Sequence, residues 1–309
     1  MAYSGRDEKA SGAEQPLVGA QQESAEASTS RGPQRLLISM NQTTTRRWTL
    51  QQDVLYYQEM EIDAIGVWRP KLAALGEDEA IEFLRDSGMK VTSVSWAGGF
   101  TGTNGYTFQE VLDDARHAIQ TAERLKADCV VIISGPRNSH IKSHMYCLLV
   151  EALRELADCA AAAGVMLALK PMHRRYARDW TFVNTLDQTL DVLGRVAHPA
   201  VGIALNTHHL WQEPGLLDRI PEIVPLLATV QLSDWRERPT SDNDHCLLGA
   251  GQAPLPEIIH ALLQNGYDGY FDVEIWSERL WSTSYFELIR ACLSYLRTLP
   301  VDSRRQVTV

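Results

Sequence analysis

The sequence predicts a single (β/α)8 barrel, and two observations predict it. From position 36 onward, short apolar or β-branched runs alternate with longer amphipathic stretches, which is the pattern of strand-helix units around a parallel sheet. Eight such units occupy about 265 residues, which is the length of one barrel of this type. Hydrophobic residues make up 45% of the chain and charged residues 22%, so the composition supports a large apolar core.

The predicted strands are short runs rich in Val, Ile and Leu, bounded by loops rich in Gly, Pro, Asn and Asp. The fourth reads CVVIIS and the sixth reads VGIALN, and such nearly continuous apolar runs are typical of strands covered on both faces. In chain order, the predicted strands are 36–40, 62–68, 91–96, 129–134, 165–170, 201–206, 228–233 and 270–276.

Helical patterns of about ten to twenty residues separate these strands, and the clearest are 107–126 and 141–163. After the third strand comes a glycine-rich loop that contains Gly98, Gly99, Gly102 and Gly105. No G-x-G-x-x-G fingerprint or P-loop opens a helix there, so the loop predicts a mobile lid rather than a nucleotide site.

Outside the barrel, composition predicts two flexible tails. Residues 1–34 are rich in Ala, Ser, Gln, Glu and Gly, and such a segment buries too little apolar surface to offset the entropy of ordering. We therefore expect a disordered N-terminal tail over 1–34, a barrel over 35–300 and a flexible C-terminal tail over 301–309.

Charge and hydropathy argue against several partners. Lys and Arg number 29 against 39 Asp and Glu, and the net charge of -10 disfavours nucleic acid or an anionic membrane as a partner. No apolar run approaches the roughly 20 residues that span a bilayer, and no secretory signal is evident. The five cysteines are scattered without a CxxC pair, which favours reduced thiols. A cytoplasmic protein is expected.

The predicted barrel locates the active site before any motif is considered, because such barrels carry their chemistry at the C-terminal ends of the strands. Several of the residues there are polar or aromatic. Trp68 and Trp96 are interpreted either as caps of the barrel or as part of an apolar substrate pocket. The residues at these ends are Met40, Trp68, Arg69, Trp96, Ser134, Lys170, Asn206, Gln231, Asp234 and Glu274.

Four motifs at the ends of strands five to eight resemble one family. They are LALKPMH (167–173), GIALNTHHLW (202–211), VQLSDW (230–235) and GYDGYFDVEIW (266–276), and NDHCLLGAGQAPLPEII (243–259) adds a family-like loop. Together they are similar to the xylose isomerase-like TIM barrels called sugar phosphate isomerases/epimerases, which include hydroxypyruvate isomerase, inosose dehydratase and ketose 3-epimerases. The resemblance spans 36–298.

In that family a glutamate, an aspartate, a histidine and a second glutamate hold one divalent cation. Here Lys170, Asn206 and Gln231 stand at the first three of these positions, and Glu274 alone keeps the family residue. A divalent cation needs several anionic oxygens, and an ammonium group repels it. The sequence therefore predicts no metal ligand and no cofactor.

We considered an alternative site rich in nitrogen, built from the histidines. Its candidates are His173, His208, His209 and His245, but only His209 keeps a spacing that faces the pocket in the family. Since isolated histidines with ordinary hydrogen bonds are common, this alternative is disfavoured.

Three residues are predicted to be catalytic. Lys170 supplies the positive charge that polarises a carbonyl group, Glu274 removes a proton from the adjacent carbon, and His209 binds a hydroxyl or moves a proton. Two alternatives stay open: Lys170 and Glu274 form only a buried ion pair, or Lys170 acts as a Schiff-base amine.

The remaining predicted site residues bind substrate. Amide, aromatic and cationic side chains suit the hydroxyls and apolar faces of a carbohydrate-like or cyclic hydroxy-carbonyl compound. In this interpretation, His208 is structural and Asp234 orients a neighbour. The predicted substrate-binding residues are Asn206, Gln231, Trp68, Trp96, Trp211, Trp276, Arg236, Arg238, His173 and His245.

The predicted function is that of a metal-independent sugar isomerase or epimerase that abstracts a proton next to a carbonyl. Two alternatives are a lyase or dehydratase of the same fold and a non-catalytic polyol-binding relative. An apurinic-site endonuclease ranks last, because it needs a metal cluster and a basic face. Self-association into a homo-oligomer is expected by analogy with the family.

Overall fold

Eight parallel strands close into a barrel in chain order, which confirms the predicted fold class. This computed structural model describes residues 36–102, 105–237 and 244–299. The predicted tails over 1–34 and 301–309 lie outside the described residues. The strands are β1 (Ile38–Asn41), β2 (Ala64–Trp68), β3 (Lys90–Gly98), β4 (Cys129–Ile133), β5 (Met166–Leu169), β6 (Val201–Asn206), β7 (Leu227–Leu232) and β8 (Phe271–Val273).

β8 is shorter than the predicted 270–276, and the reason is visible in its hydrogen bonds. Beyond Val273, the backbone N–H of Ile275 donates to Thr44 Oγ1 at 2.9 Å, and that of Trp276 donates to His245 Nδ1 at 3.1 Å. Side chains therefore take the place of the neighbouring strand, and the chain leaves the barrel directly after Glu274.

Helices on the outside of the barrel begin at recognisable caps. At the start of α4, Thr107 Oγ1 accepts from the backbone N–H of Glu110 at 3.2 Å, and the Glu110 carboxylate accepts from the backbone N–H of Thr107 at 2.8 Å. The helices are α1 (Leu50–Glu59), α2 (Arg69–Leu75), α3 (Glu77–Ser87), α4 (Phe108–Leu125), α5 (Lys142–Ala162), α6 (Leu186–Val196), α7 (Thr207–Leu210), α8 (Leu216–Ile223), α9 (Leu255–Gln264), α10 (Glu278–Trp281) and α11 (Tyr285–Thr298).

Alternation along each strand separates an outer core from the barrel interior. On β4, Val130 and Ile132 belong to the large core that also contains the buried faces of the helices. Cys129 and Val131 point the other way and pack with Ala168 inside the barrel. Because side chains on a strand alternate with a period of two, the residues that follow on the inner face reach the C-terminal mouth.

Part of the barrel interior is polar and buried. Asp272 accepts hydrogen bonds from Ser39 Oγ at 2.9 Å and from Asn41 Nδ2 at 2.7 Å. Gly66 makes room for this arrangement, since a Cβ there would lie 2.5 Å from Asn41 Nδ2. Burial raises the pKa of Asp272 to about 6. Asp272 precedes Glu274 by two residues on the same face of the chain, so it lies directly below the site.

Within the described part of the chain, the helices are too short or too polar to cross a membrane. The five cysteines are free thiols, and Cys129, Cys246 and Cys292 are buried. Part of the glycine-rich loop, residues 103–104, falls outside the described residues, so its predicted role as a lid stays a prediction.

Candidate active site

Glu274 is the first residue after β8, and its carboxylate accepts hydrogen bonds from three other residues of the site. Its Oε2 accepts from Lys170 Nζ at 2.7 Å and from Asn206 Nδ2 at 2.6 Å, and its Oε1 accepts from Gln231 Nε2 at 3.2 Å. The Lys170 and Glu274 side chains are only 8% and 6% exposed. The four strand-end positions singled out in the sequence therefore meet at one carboxylate.

The amide of Asn206 is oriented by the backbone. Its Oδ1 accepts from the backbone N–H of His208 at 2.9 Å, at the start of α7, so its NH2 group must face Glu274. Two amide donors and one ammonium group thus surround the carboxylate, and each of them donates a hydrogen bond to it.

This donor set does not fit a divalent cation. At Oε2 both lone-pair directions are taken by N–H donors, and the Lys170 ammonium group occupies the space in which a cation would need anionic oxygens. In the described ranges, no group of three or more His, Cys, Asp or Glu side chains is arranged to hold a metal ion. The residues at these strand ends form an ion pair with amide support instead of a ligand set.

A cavity of about 490 Å³, counting its open mouth, lies over this ion pair. Six of the predicted site residues line it, namely Lys170, Glu274, His209, His245, Trp96 and Trp276. Asn206 and Gln231 lie behind Glu274 and act on the cavity through its carboxylate.

The remaining predicted residues lie outside the cavity lining. Trp68 packs edge-on against Trp276, with ring centres 6.1 Å apart, and so supports the lining from behind. Trp211 packs near Trp235, with ring centres 6.4 Å apart. Arg236 Nη1 pairs with Asp244 at 3.3 Å.

His173 packs against Trp235 with ring centres 4.7 Å apart, and its Nδ1 accepts from the backbone N–H of Arg175 at 3.3 Å. Arg238 lies outside the described residues.

Sequence reasoning missed five lining residues: Val131, Ile133, Met172, Tyr176 and Trp180. Val131 and Ile133 follow from the period of two along β4, which places them on the inner face with Cys129. Trp180 lies in the connection between β5 and α6, and no strand-end rule identifies it. Its ring centre lies 5.4 Å from that of Trp96 and 6.4 Å from that of Trp276, so these three residues form an aromatic wall.

Polar rings also line the cavity. Three histidines, His208, His209 and His245, form an imidazole cluster, and two of them, His209 and His245, belong to the cavity lining. The rings of His208 and His245 stack with centres 3.8 Å apart and planes at 28°, and the ring centre of His209 lies 5.1 Å from that of His208. His208 Nδ1 lies 3.0 Å from the carbonyl oxygen of Asp234 and therefore donates, while its Nε2 accepts from the Tyr176 hydroxyl at 3.0 Å. His208 is thus fully bonded, as its predicted structural role requires.

The cluster is expected to make the protein less stable in acid. Burial lowers the pKa of His208 to about 3 and the pKa values of His209 and His245 well below 6.5. Below pH 6.5 the unfolded chain therefore takes up protons that the folded chain does not, and each imidazole costs about 1.4 kcal/mol of stability per pH unit. Burial of Asp53 and Asp272 acts in the opposite direction, because it raises both pKa values to about 6.

The measurement is the free energy of unfolding in urea at pH 7.5 and pH 5.5. The drop between these pH values should be smaller by about 1 kcal/mol in His208→Gln than in the wild type. An equal drop in both proteins would show that His208 is not held neutral.

Asp234 organises the loop that carries His245. Its carboxylate accepts from the backbone N–H groups of Trp235, Gly249, Gly251 and Ala253 at 2.7 to 3.0 Å. Its backbone carbonyl receives the N–H of Cys246 at 3.2 Å. This agrees with its predicted role in orienting a neighbour.

Asp234→Ala should lower the free energy of unfolding by about 3 kcal/mol, because it leaves four backbone donors without their charged acceptor. Asp114→Ala is the control, since it removes only an exposed ion pair with Arg69 and should cost less than about 1 kcal/mol. Chemical unfolding of both variants checks the difference, and similar losses would contradict the anchoring role.

Comparison with known proteins yields a family and several relatives. The family model described as "Xylose isomerase-like TIM barrel" matches residues 55–299. An inosose isomerase from Halalkalibacterium halodurans is 22% identical over 82% of this chain and 92% of its own length. A 3-dehydroshikimate dehydratase from Pseudomonas putida is 25% identical over 62% of this chain, and this chain spans only 30% of that protein.

Solved structures agree with the fold. A protein from Sinorhizobium meliloti is 30% identical, with a TM-score of 0.81 over 86% of this chain and 99% of its own. The IolI protein, whose structure holds a zinc atom, has a TM-score of 0.75 at 19% identity over 87% of this chain and all of its own. At that identity, the second similarity concerns the fold alone.

Proposed function

Because the chain belongs to the xylose isomerase-like TIM barrel family, we propose that it is a sugar isomerase-type enzyme that needs no metal ion. Its relatives carry the names of isomerases and a dehydratase, and such enzymes act on hydroxy-carbonyl compounds. The proposed reaction begins with removal of a proton from the carbon next to a carbonyl group.

One observation carries this proposal: an ammonium group and a carboxylate line the same cavity, 2.7 Å apart. Lys170 makes one hydrogen bond with described residues, to Glu274, so two of its N–H groups are available for a substrate oxygen. A fixed positive charge there stabilises the negative charge that develops on a carbonyl oxygen when the neighbouring carbon loses a proton.

The two oxygens of Glu274 have different tasks. Oε2 is occupied by Lys170 and Asn206. Among the described residues, Oε1 accepts a single, longer bond, from Gln231, and keeps a lone pair. We assign Oε1 as the atom that takes the proton from carbon. The C–H electron pair then forms the carbon-carbon double bond of an enediolate, and the former carbonyl oxygen takes the negative charge.

The hydroxyl proton on the deprotonated carbon then passes to the negatively charged oxygen of the former carbonyl group. Return of the carbon-bound proton from Oε1 to the former carbonyl carbon completes the isomerisation and leaves the new carbonyl group on the other carbon. Glu274 is the single carboxylate among the described residues that line the cavity. Epimerisation by two opposed bases needs a second carboxylate. Proton transfer between adjacent carbons by a single base is therefore favoured over epimerisation.

Dehydration is the second candidate, and the same single carboxylate supports it. After proton removal, Glu274 carries the proton, and transfer of that proton to a β-hydroxyl group lets the hydroxyl leave as water. His209 lines the cavity and hydrogen-bonds with no described residue, so its neutral ring is available to hydrogen-bond that leaving group. The Schiff-base alternative is disfavoured, because an ammonium group bonded to a carboxylate is not a nucleophile.

The test is proton exchange in D2O, followed by NMR, with ketoses, cyclic hydroxy-ketones and 3-dehydroshikimate as candidate substrates. The proposal predicts deuterium at the carbon next to the carbonyl, together with an isomer or a dehydrated product. Binding without any exchange or product across the panel would contradict the proposed enzymatic activity and would favour a non-catalytic polyol-binding protein.

A further inference from the structure

The charges of the cavity limit what it binds. Among the described lining residues, Lys170 and Glu274 are the charged ones, and they neutralise each other at 2.7 Å. Two nearby arginines are paired with carboxylates: Arg69 with Asp114 at 2.6 Å and Arg236 with Asp244 at 3.3 Å. A third, Arg175, lies over the ring of Tyr176, with its guanidinium carbon 5.8 Å from the ring centre, and is not among the described lining residues. In the described ranges, the cavity lining therefore offers no free cation to a phosphate or carboxylate group.

His245 is an uncharged donor by geometry. Its Nδ1 receives the backbone N–H of Trp276 at 3.1 Å, and a backbone N–H cannot act as an acceptor. The carbonyl oxygen of Glu274 lies farther from the same nitrogen, at 3.3 Å. The shorter of these two contacts assigns Nδ1 as an acceptor and the ring proton to Nε2, which bonds with no described residue while the side chain lines the cavity.

The rest of the imidazole cluster reinforces this state. A charge on His245 would face the stacked ring of His208 and would share the cavity with the Lys170 ammonium group. Burial, followed by these two neighbours, lowers the pKa of His245 well below 6.5. His209 adds a second uncharged group, because its Nδ1 is buried and has no hydrogen-bond partner among the described residues.

We propose that the cavity selects an uncharged, ring-shaped hydroxy-carbonyl compound, with His245 and His209 as neutral hydrogen-bonding groups and the aromatic wall as the apolar surface. This inference rests on the proposed function, whose substrate class it narrows. A neutral imidazole suits a hydroxyl or carbonyl oxygen, and the indole rings of Trp96, Trp180 and Trp276 suit the C–H face of a ring. A phosphate or carboxylate group would find no unneutralised cation in the described lining, because Lys170 is already paired with Glu274.

The experiment measures binding, so that it does not depend on turnover. Tryptophan fluorescence, which the aromatic wall supplies, is titrated at pH 7.5 with two pairs of ligands. One pair is D-fructose and D-fructose 6-phosphate, which differ only in the phosphate group. The other pair is inosose, which is neutral, and 3-dehydroshikimate, which carries a carboxylate. The wild type should bind the neutral member of each pair at least tenfold more tightly.

Glu274→Gln provides the matched variant. It removes the compensating anion and leaves Lys170 unpaired at the end of the cavity, so affinity for the anionic member should rise at least tenfold. Arg238→Ala tests the one predicted substrate-binding arginine that lies outside the described residues, and a loss of anion affinity in this variant would assign anion recognition to that side chain.

Three results would overturn the inference: tighter or equal binding of the anionic members, no binding of either neutral ligand, or an anion affinity that depends on Arg238. These results are distinct from a failure of the proposed function. Selective binding without proton exchange would overturn the catalytic proposal and leave this inference intact.

Discussion

Replacing Glu274 with Gln is expected to lower the rate of proton exchange by about a thousandfold or more. The substitution keeps the size of the side chain but removes the lone carboxylate that lines the described cavity. A neutral amide has no basic oxygen for a carbon-bound proton, and its NH2 group would meet the donors of Lys170 and Asn206. The measurement is the rate of deuterium incorporation at the carbon next to the carbonyl.

Glu257→Gln on the exposed surface of α9 is the matched control, and it should exchange at the wild-type rate. Binding of a neutral ligand to Glu274→Gln should persist, because the aromatic wall and the imidazole cluster are untouched. Exchange by this variant at more than a tenth of the wild-type rate would assign the base to another residue.

Replacing Lys170 with Met is expected to reduce both activity and stability. Without the ammonium group, the developing enediolate loses its positive partner, and we expect exchange to fall by about 10²- to 10³-fold. The Glu274 carboxylate then stays buried with only two amide donors, so the free energy of unfolding should fall by about 3 kcal/mol. Exchange rates and urea unfolding of the same sample separate the two effects.

Lys170→Arg is the control for charge. It retains a cation at the site, so it should recover most of the stability lost in Lys170→Met, while the different shape of the guanidinium group keeps exchange below that of the wild type. A Lys170→Met variant with full exchange would show that the ion pair is only structural.

Much of the fold and the centre of the site follow from the sequence. Lys170 is the last residue of the predicted fifth strand, and Glu274 lies near the end of the predicted eighth strand. These strand-end positions bring both residues to the mouth of a closed barrel. The position of Asp272 inside the barrel could have been predicted in the same way, because Asp272 lies two residues before Glu274 and therefore on the same face.

Other parts of the site depend on contacts between distant loops. Stacking of His208 on His245 requires the loop after residue 244, which Asp234 holds through backbone hydrogen bonds that no motif encodes. Trp180 reaches the cavity from a long connection whose path is set by tertiary packing. The early end of β8 likewise follows from side-chain acceptors, Thr44 and His245, which are far away in sequence.

The central claim is that the Lys170 ammonium group supplies the positive charge that a divalent ion supplies in the metal-binding relatives. The most direct test is the exchange rate of the wild type before and after exhaustive dialysis against EDTA, with metal analysis of the same samples. The account predicts rates within twofold of each other, and no increase when Mg²⁺, Mn²⁺ or Zn²⁺ is added back. Loss of exchange on dialysis, with recovery on addition of one of these ions, would contradict it.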